Sequence, residues 1–249
     1  MRTYRILLAI GSWLLAIGCM AQSESGLIVG IEAEKKIDKK WSVGVEADLR
    51  TRNNFQTMDR WSIGLGAGYK MTKWLKASAG YTLLNSNNRE KISYKASGDY
   101  NNWRPSYWGV KHRVYGSLTG SYKFPNNLSL SLRERWQYTY RPEKTVERWD
   151  FDNSQWEDKI RSGKGKSQLR SRLQVEYDKK RALLTPYASI ELYNAWAIEK
   201  IRYTVGTDIR LTKQHHLGVF YRFQDMHNID EDDYDPNMHY IGVGYTFKF

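Results

Sequence analysis

The stretch Trp41–Arg50, WSVGVEADLR, alternates strictly between two kinds of side chain. Its odd positions are apolar, and its even positions are polar or glycine. Successive side chains of a β-strand point to opposite faces, so this alternation predicts a strand with one apolar and one polar face. The pattern recurs along the chain and predicts an all-β protein. The predicted strands are 26–36, 41–50, 61–70, 75–83, 113–122, 128–141, 169–178, 184–193, 201–211, 217–224 and 238–249.

Short turns and long polar loops alternate between the predicted strands. Tight turns such as Ile37–Lys40 contrast with long segments such as Asn85–Tyr107 and Pro142–Lys166. Outer-membrane barrels have this asymmetry, because their periplasmic turns are short and their extracellular loops are long. Strands of about 9 to 11 residues also suit a tilted crossing of the hydrocarbon layer.

A soluble β-barrel or sandwich would alternate in the same way, with its apolar face turned inward. Aromatic side chains favour the membrane alternative because they lie at the ends of the apolar faces. Trp41 and Tyr69 are near predicted turns, and Trp61 and Tyr81 are near predicted loops. Two girdles of amphipathic rings are typical of membrane barrels. The sequence therefore predicts a transmembrane, antiparallel, up-and-down β-barrel of about 10 to 12 strands.

The count of eleven strands conflicts with the even number found in bacterial single-chain barrels. We considered two explanations. A further strand lies within the segments 85–107 or 142–166, or the segment Gln22–Gly26 threads the lumen.

The amino-terminal segment Met1–Ala21 has the three parts of an export signal. Two arginines precede an apolar run, and small residues precede a cleavage point before Gln22. Cleavage there would remove Cys19, the single cysteine, and with it any disulfide or thiolate chemistry. Acylation of Cys19 is the alternative, because Ala16–Cys19 loosely resembles a lipoprotein box. We expect a signal peptide at 1–21, a barrel at 22–249 and a location in the outer membrane of a Gram-negative bacterium.

The chain closes on alternating apolar residues that include Tyr245, Phe247 and Phe249. This ending resembles the signal by which the barrel-assembly machinery recognises outer-membrane barrels. Further residues, namely Asp48-Leu49-Arg50, Leu132-Arg133-Glu134-Arg135 and the stretch Pro186–Tyr193, carry a second resemblance. On these residues the chain is similar to an uncharacterised outer-membrane family of the Bacteroidota, catalogued as a domain of unknown function. The resemblance implies the barrel fold and contact with outer-membrane lipid, and it implies no activity.

Charged side chains occupy the polar faces of the predicted strands. Four arginines on two neighbouring strands are expected inside the barrel at similar heights, where inward carboxylates could supply counter-charges. The predicted lumen-lining residues are Arg133, Arg135, Arg170, Arg172, Glu46, Asp48, Glu176, Glu191 and Asp208. Two interpretations stay open: an ion-pair lattice that fills a narrow barrel, or a constriction that selects a small anionic solute. Glu134 instead falls on the predicted lipid face, where a charge is costly.

The predicted outer loops mix aromatic side chains with Asn and Asp. Trp103, Trp149 and Trp156 are candidates for binding a surface ligand, because such a mixture stacks and hydrogen-bonds a sugar or peptide. The alternative is that these rings cap the barrel mouth. An acidic tip, Asp230–Asp235, could hold a divalent cation. It lacks the ligand spacing of an EF-hand, so we predict no metal site.

Two further function classes have weaker support. A hydrolase needs a His beside Ser or Asp, and the best pair is His227 with Asp230 in one loop. The net charge of +12 would suit nucleic acid, but the basic residues are spread over lumen positions and turns. We expect no cofactor and no nucleic-acid partner. The sequence predicts a structural or interaction barrel or a narrow solute pore, with a surface-ligand binding barrel and an outer-membrane hydrolase as alternatives.

Overall fold

A computed structural model describes residues 23–179, 182–227 and 235–249. The predicted signal peptide lies outside these residues. The described strands are β1 (Ser23–Lys36), β2 (Trp41–Arg52), β3 (Thr57–Lys70), β4 (Leu75–Asn88), β5 (Lys91–Tyr94), β6 (Tyr100–Arg104), β7 (Tyr107–Lys123), β8 (Leu128–Arg141), β9 (Lys144–Asp150), β10 (Gln155–Arg161), β11 (Lys164–Tyr177), β12 (Leu184–Asn194), β13 (Ile198–Arg210), β14 (His215–Met226) and β15 (Asn237–Lys248). In this part of the chain, no helix has the length and apolarity to cross a membrane.

Eleven of the strands close into a barrel in the order β1, β2, β3, β4, β7, β8, β11, β12, β13, β14, β15. Barrel neighbours pair antiparallel except at the closing seam, where β1 and β15 run parallel from Ser23 with Asn237 to Glu34 with Lys248. Eleven strands that alternate in direction leave the first and last parallel, so this seam is the geometric consequence of an odd count. The barrel fold is confirmed, and its eleven wall strands equal the eleven strands counted in the sequence. The β1–β15 seam is the place where the described barrel departs from antiparallel pairing.

The two longest loops contain strands that stay outside the barrel. Strands β5, β6, β9 and β10 form a separate four-stranded sheet in the order β10-β9-β6-β5, which we call the loop sheet. Two hairpins build it, and the pairing of Trp103 with Trp149 joins them. The loop sheet therefore couples two loops that are far apart in the sequence.

Apolar side chains of the barrel wall face outward. Val43, Leu65 and Leu173 are 42 %, 58 % and 44 % exposed, whereas the inward Ser62 and Thr82 are 4 % and 7 % exposed. A soluble barrel would bury the apolar set and expose the polar set. The predicted orientation, with apolar side chains outside the barrel and polar side chains inside it, is therefore confirmed.

Glycines of the wall make room for large inward side chains. A Cβ atom at Gly242 would clash with the ring of Phe220, and one at Gly80 would lie 2.5 Å from Oη of Tyr115. Both rings therefore lie directly against the backbone of the neighbouring strand. This close approach contributes to filling the lumen.

Glu134 lies on the outward face of β8, as its position in the sequence predicts. It pairs across strands with Leu118 on β7 and Ser171 on β11. The Ser171 hydroxyl donates to its Oε2 at 2.6 Å. This hydrogen bond compensates part of the cost of a carboxyl group on the apolar wall.

Candidate functional site

The three candidate tryptophans lie side by side on the loop sheet. Trp103 on β6 pairs with Trp149 on β9, and Trp149 pairs with Trp156 on β10. The ring centroids of Trp103 and Trp156 are 5.7 Å apart, and those of Trp149 and Trp156 are 5.5 Å apart. Ile92 on β5 lies opposite Trp103 and extends the row to the fourth strand. Strand pairing thus assembles one continuous row from two loops.

A second row of rings lies next to the first. Tyr100 lies between Tyr94 and Phe151, with centroid distances of 5.4 Å and 5.3 Å. Tyr94 is 59 % exposed and Tyr100 is 55 % exposed. We refer to both rows together as the aromatic face, composed of Ile92, Tyr94, Tyr100, Trp103, Trp149, Phe151 and Trp156. An exposed apolar surface of this kind marks an interaction site more often than an inert one.

Carboxylates border the aromatic face. The indole Nε1 of Trp103 donates to Glu90 at 3.3 Å. Glu147 on β9 and Asp158 on β10 lie directly opposite each other, two positions along from Trp149 and Trp156. Like charges directly opposite on a sheet destabilise it, and neither carboxylate forms an ion pair with the residues described. The aromatic face therefore carries a local negative charge that the protein itself leaves uncompensated.

The reverse face and the tips keep the loop sheet in place. Val146 is buried, and Arg148 pairs with Glu157 at 2.9 Å. Asp150 accepts the backbone N–H of Asp152 at 3.0 Å in the β9–β10 turn. That hydrogen bond, followed by one from Asn153, lowers the pKa of Asp150. Lys95 donates a hydrogen bond to the Asp152 carboxylate, and this bond raises the pKa of Lys95. The same bond joins the β5–β6 turn to the β9–β10 turn.

The four predicted lumen arginines form a block in the middle of the barrel. Arg133 pairs across strands with Arg172, and Arg135 pairs with Arg170. On β12, Glu191 lies opposite Arg172 and Tyr193 lies opposite Arg170. On β13, Arg202 and Lys200 continue the same two rows. We call these two rows the central layer, composed of Arg133, Arg135, Arg170, Arg172, Glu191, Tyr193, Lys200 and Arg202.

Glu191 is the hub of the central layer. It accepts from Arg133 at 2.5 Å and from Arg170 at 2.9 Å, and Arg202 lies 3.9 Å away. The Tyr193 hydroxyl also donates to it, at 2.9 Å. The Tyr193 ring in turn contacts Arg170, Lys200 and Arg202 at 4.5 Å, 4.5 Å and 4.6 Å. One carboxylate and one ring therefore organise most of the layer.

The remaining predicted carboxylates do not serve these arginines. Asp48 instead binds Arg50 at 2.9 Å and lies 3.5 Å from Arg60. Glu46, Glu176 and Asp208 lie closer to the turn end of the lumen and form no ion pair with an arginine among the described residues. Of the five predicted carboxylates, Asp48 and Glu191 therefore form ion pairs with arginines among the described residues, and the register of the strands offsets the other three along the barrel axis.

Burial differs along the lumen. Tyr193, Glu191 and Arg202 are 3 %, 7 % and 8 % exposed. Towards the turns, Glu32 and Glu46 are exposed. Burial is therefore greatest at the centre of the lumen and decreases towards its turn end, which favours the ion-pair lattice interpretation.

Sequence reasoning missed Lys200 and Arg202 as lumen residues. The alternation of outward Ile201, Tyr203 and Val205 was the signal that could have assigned them inward.

The other predicted site residues have less organised surroundings. His227 Nε2 lies 3.5 Å from Asp225, while Asp230 and most of the acidic tip lie outside the described residues. Among the residues described, no group of three or more His, Cys, Asp or Glu could hold a metal ion. Tyr245 accepts or donates a hydrogen bond with His215 at 2.5 Å, and the rings of Phe247 and Phe249 stack at 5.2 Å. Recognition of this ending by the assembly machinery stays a prediction.

Two solved structures are similar in outline to this chain. The β domain of the Bordetella autotransporter BrkA matches at 13 % identity with a TM-score of 0.48, covering 82 % of this chain and 79 % of that chain. The CymD monoaromatic hydrocarbon channel matches at 10 % identity with a TM-score of 0.39, covering 77 % and 66 %. TM-scores below 0.5 do not establish a shared fold, so the barrel rests on its own strand pairing. No curated protein sequence matches the chain.

A comparison with protein-family models tests the predicted membership of a family without known function. The family model described as protein of unknown function (DUF2490) matches residues 26–235, and the chain therefore belongs to this family.

Proposed function

We propose that this protein is an outer-membrane barrel of a Gram-negative bacterium that binds a basic peptide segment at the cell surface. The loop sheet is the binding element, and the filled barrel is its scaffold. The membrane location is supported by the outward apolar wall, since a surface of this size is stable in lipid and not in water. The resemblance to a Bacteroidota family, the export signal and the assembly signal remain predictions.

The observation that carries this function is the aromatic face with its uncompensated carboxylates. Exposed rings offer their negative π-faces to cations, and each such contact is worth about 0.5–1 kcal/mol at an exposed site. Glu147 and Asp158 add a negative charge that a cation would neutralise. A peptide carrying Arg or Lys satisfies both requirements, whereas a neutral sugar uses the rings and leaves the carboxylates opposed.

The pore and hydrolase alternatives have weaker support. A conducting pathway would pass through the central layer, where Tyr193, Glu191 and Arg202 are buried. A hydrolase centred on His227 has one neighbouring carboxylate, Asp225, and no serine in contact among the described residues. We therefore propose neither conduction nor hydrolysis.

A binding assay tests the proposed function. The purified barrel in nanodiscs is titrated with a fluorescent peptide of alternating Arg and Tyr, with the same peptide carrying citrulline for Arg, and with maltohexaose. We expect the basic peptide to bind best. Trp156→Ala should weaken its affinity about tenfold or more, as for an aromatic hot spot.

Trp196 provides the matched control, because it is a fully exposed tryptophan in the β12–β13 connection, outside the loop sheet. Trp196→Ala should leave the affinity unchanged. Equal affinity for the arginine and citrulline peptides, or tighter binding of maltohexaose, would contradict a basic ligand. An equal loss in both tryptophan variants would remove the loop sheet as the binding element.

A further inference from the structure

The central layer contains far more positive than negative charge. Its two rows run without interruption across β8, β11, β12 and β13. They hold six cationic side chains, Arg133, Arg135, Arg170, Arg172, Lys200 and Arg202, and one carboxylate, Glu191. Arginine does not neutralise by losing a proton in proteins, so this imbalance persists at any ordinary pH.

Glu191 forms ion pairs with two of the four arginines in the block, which lie diagonally across from each other, and with neither of the other two. Its hydrogen bonds go to Arg133 and Arg170. Arg172 lies directly opposite Glu191, yet its guanidinium makes no hydrogen bond or ion pair with the described residues. The Nε atoms of all four arginines in the block are buried without a partner. The guanidinium of Arg135 stacks on Tyr115 at 4.2 Å.

The neighbouring arginines also lack carboxylate partners and add to this excess of positive charge. Arg113 donates to the hydroxyl of Thr139 at 3.1 Å, and Arg222 donates to that of Thr204 at 3.1 Å. Neutral hydroxyls satisfy a hydrogen bond without cancelling charge. Buried charges without a counter-charge cost several kcal/mol each, so an anion bound in the lumen would stabilise the barrel.

The row next to the arginine block on its turn side offers hydrogen-bond donors to a small ligand. It consists of short or flexible polar side chains, Ser121, Ser131, Gln174 and Ser189. These side chains lie on the side of the layer that opens towards the turns. A tetrahedral oxyanion suits the position, because guanidinium groups bind such anions through paired N–H donors and hydroxyl groups complete the shell.

We infer that a small oxyanion of the phosphate class binds inside the barrel between Arg135 and Arg172. The anion supplies the counter-charge that the chain lacks and stabilises the central layer. This site is independent of the loop sheet, so it stands or falls separately from the proposed surface function.

Titration with inorganic phosphate tests the site. The full-length barrel in detergent is dialysed into a phosphate-free chloride buffer and titrated calorimetrically with phosphate at constant ionic strength. We expect saturable binding by the wild type. Arg172→Gln and Arg135→Gln should each weaken it about tenfold or more, because each removes a charged hydrogen-bond donor. Arg148→Gln, on the loop sheet, is the matched control and should bind as the wild type does.

Thermal unfolding provides a second measurement with a distinctive sign. Without phosphate, Arg172→Gln should unfold at a higher temperature than the wild type, because it removes like-charge repulsion. With saturating phosphate the order should reverse, since only the wild type gains the full stabilisation. An adventitious ion only would give weak binding that Arg148→Gln reduces as much as Arg172→Gln does. That result, or a wild type that phosphate neither binds nor stabilises, overturns the proposal.

Discussion

The central layer and the aromatic face of the loop sheet carry unbalanced charge of opposite sign. The central layer concentrates cations around the single carboxylate of Glu191, in surroundings that exclude most water. The aromatic face concentrates carboxylates around exposed rings, at the water-facing end of the molecule. Each region lacks the charge that the other has in excess, and they belong to different sheets. The proposed oxyanion and the proposed basic peptide would each supply the charge that one region lacks.

Burial decides how strongly each region depends on that ligand. Charges in the lumen interact through a low effective dielectric and are poorly screened by salt. The carboxylates of the aromatic face are exposed, so their attraction for a cation is weak and salt-dependent. We expect changes in the central layer to alter the stability of the barrel and changes in the loop sheet to alter binding.

Glu191→Gln should have the largest effect. It removes the carboxylate that Arg133 and Arg170 share and leaves their guanidinium groups buried without compensation. Breaking a buried ion pair in this way costs about 3–5 kcal/mol. Urea unfolding of the purified barrel, followed by tryptophan fluorescence, measures the loss.

Glu157→Gln is the control for this change, because it breaks the Arg148–Glu157 pair on the loop sheet at a half-buried position. Its expected effect is below about 1 kcal/mol, as for an exposed ion pair. Equal losses in the two variants would mean that the lumen and the loop sheet do not differ in dielectric surroundings.

Glu134→Leu should have a smaller effect of opposite sign. The carboxyl group lies on the outward wall with Ser171 as its hydrogen-bond partner. Replacing it with an apolar side chain in a lipid bilayer should stabilise the barrel by about 1–2 kcal/mol, less than for a basic residue at that depth. Ser171→Ala, which removes the donor and keeps the charge, should instead destabilise it. A less stable Glu134→Leu barrel would indicate that Glu134 has a partner within the membrane.

The barrel could be predicted from the sequence because period-two alternation is a local property. Each strand carries its own outward apolar set, and eleven such sets predicted eleven wall strands. The loop sheet could not be predicted in this way. Its strands are short, and its central pairing joins Trp103 to Trp149 across a large separation in sequence. Composition identified the three tryptophans, but only strand pairing brings them into one row.

The lumen shows a different limit. Alternation assigns a side chain to the inside, but the height of that side chain depends on the stagger of all eleven strands. Glu191 has the height of the arginine block, while Glu176 lies towards the turns. The alternation in the sequence assigned both side chains to the lumen, but it could not give their different heights along the barrel axis. Register does not decide the ion pairs either, because Arg172 lies directly opposite Glu191, yet the Glu191 carboxylate pairs with Arg133 and Arg170.

Asp150→Asn should have the smallest effect, confined to the β9–β10 turn. The folded pKa of Asp150 is lowered, mainly by the backbone N–H of Asp152. A carboxyl group with a lowered folded pKa stabilises the fold fully above its unfolded value of about 3.9, and that contribution is lost as the pH falls through the folded value. We expect the wild-type turn to become more susceptible to an acid protease in that range. The Asn variant should show a weaker dependence on pH, because it has no charge to lose.

Since the aromatic face depends on this turn, peptide affinity in the variant should fall slightly at neutral pH while barrel unfolding is unchanged. A change in barrel unfolding would show that the two sheets are energetically coupled.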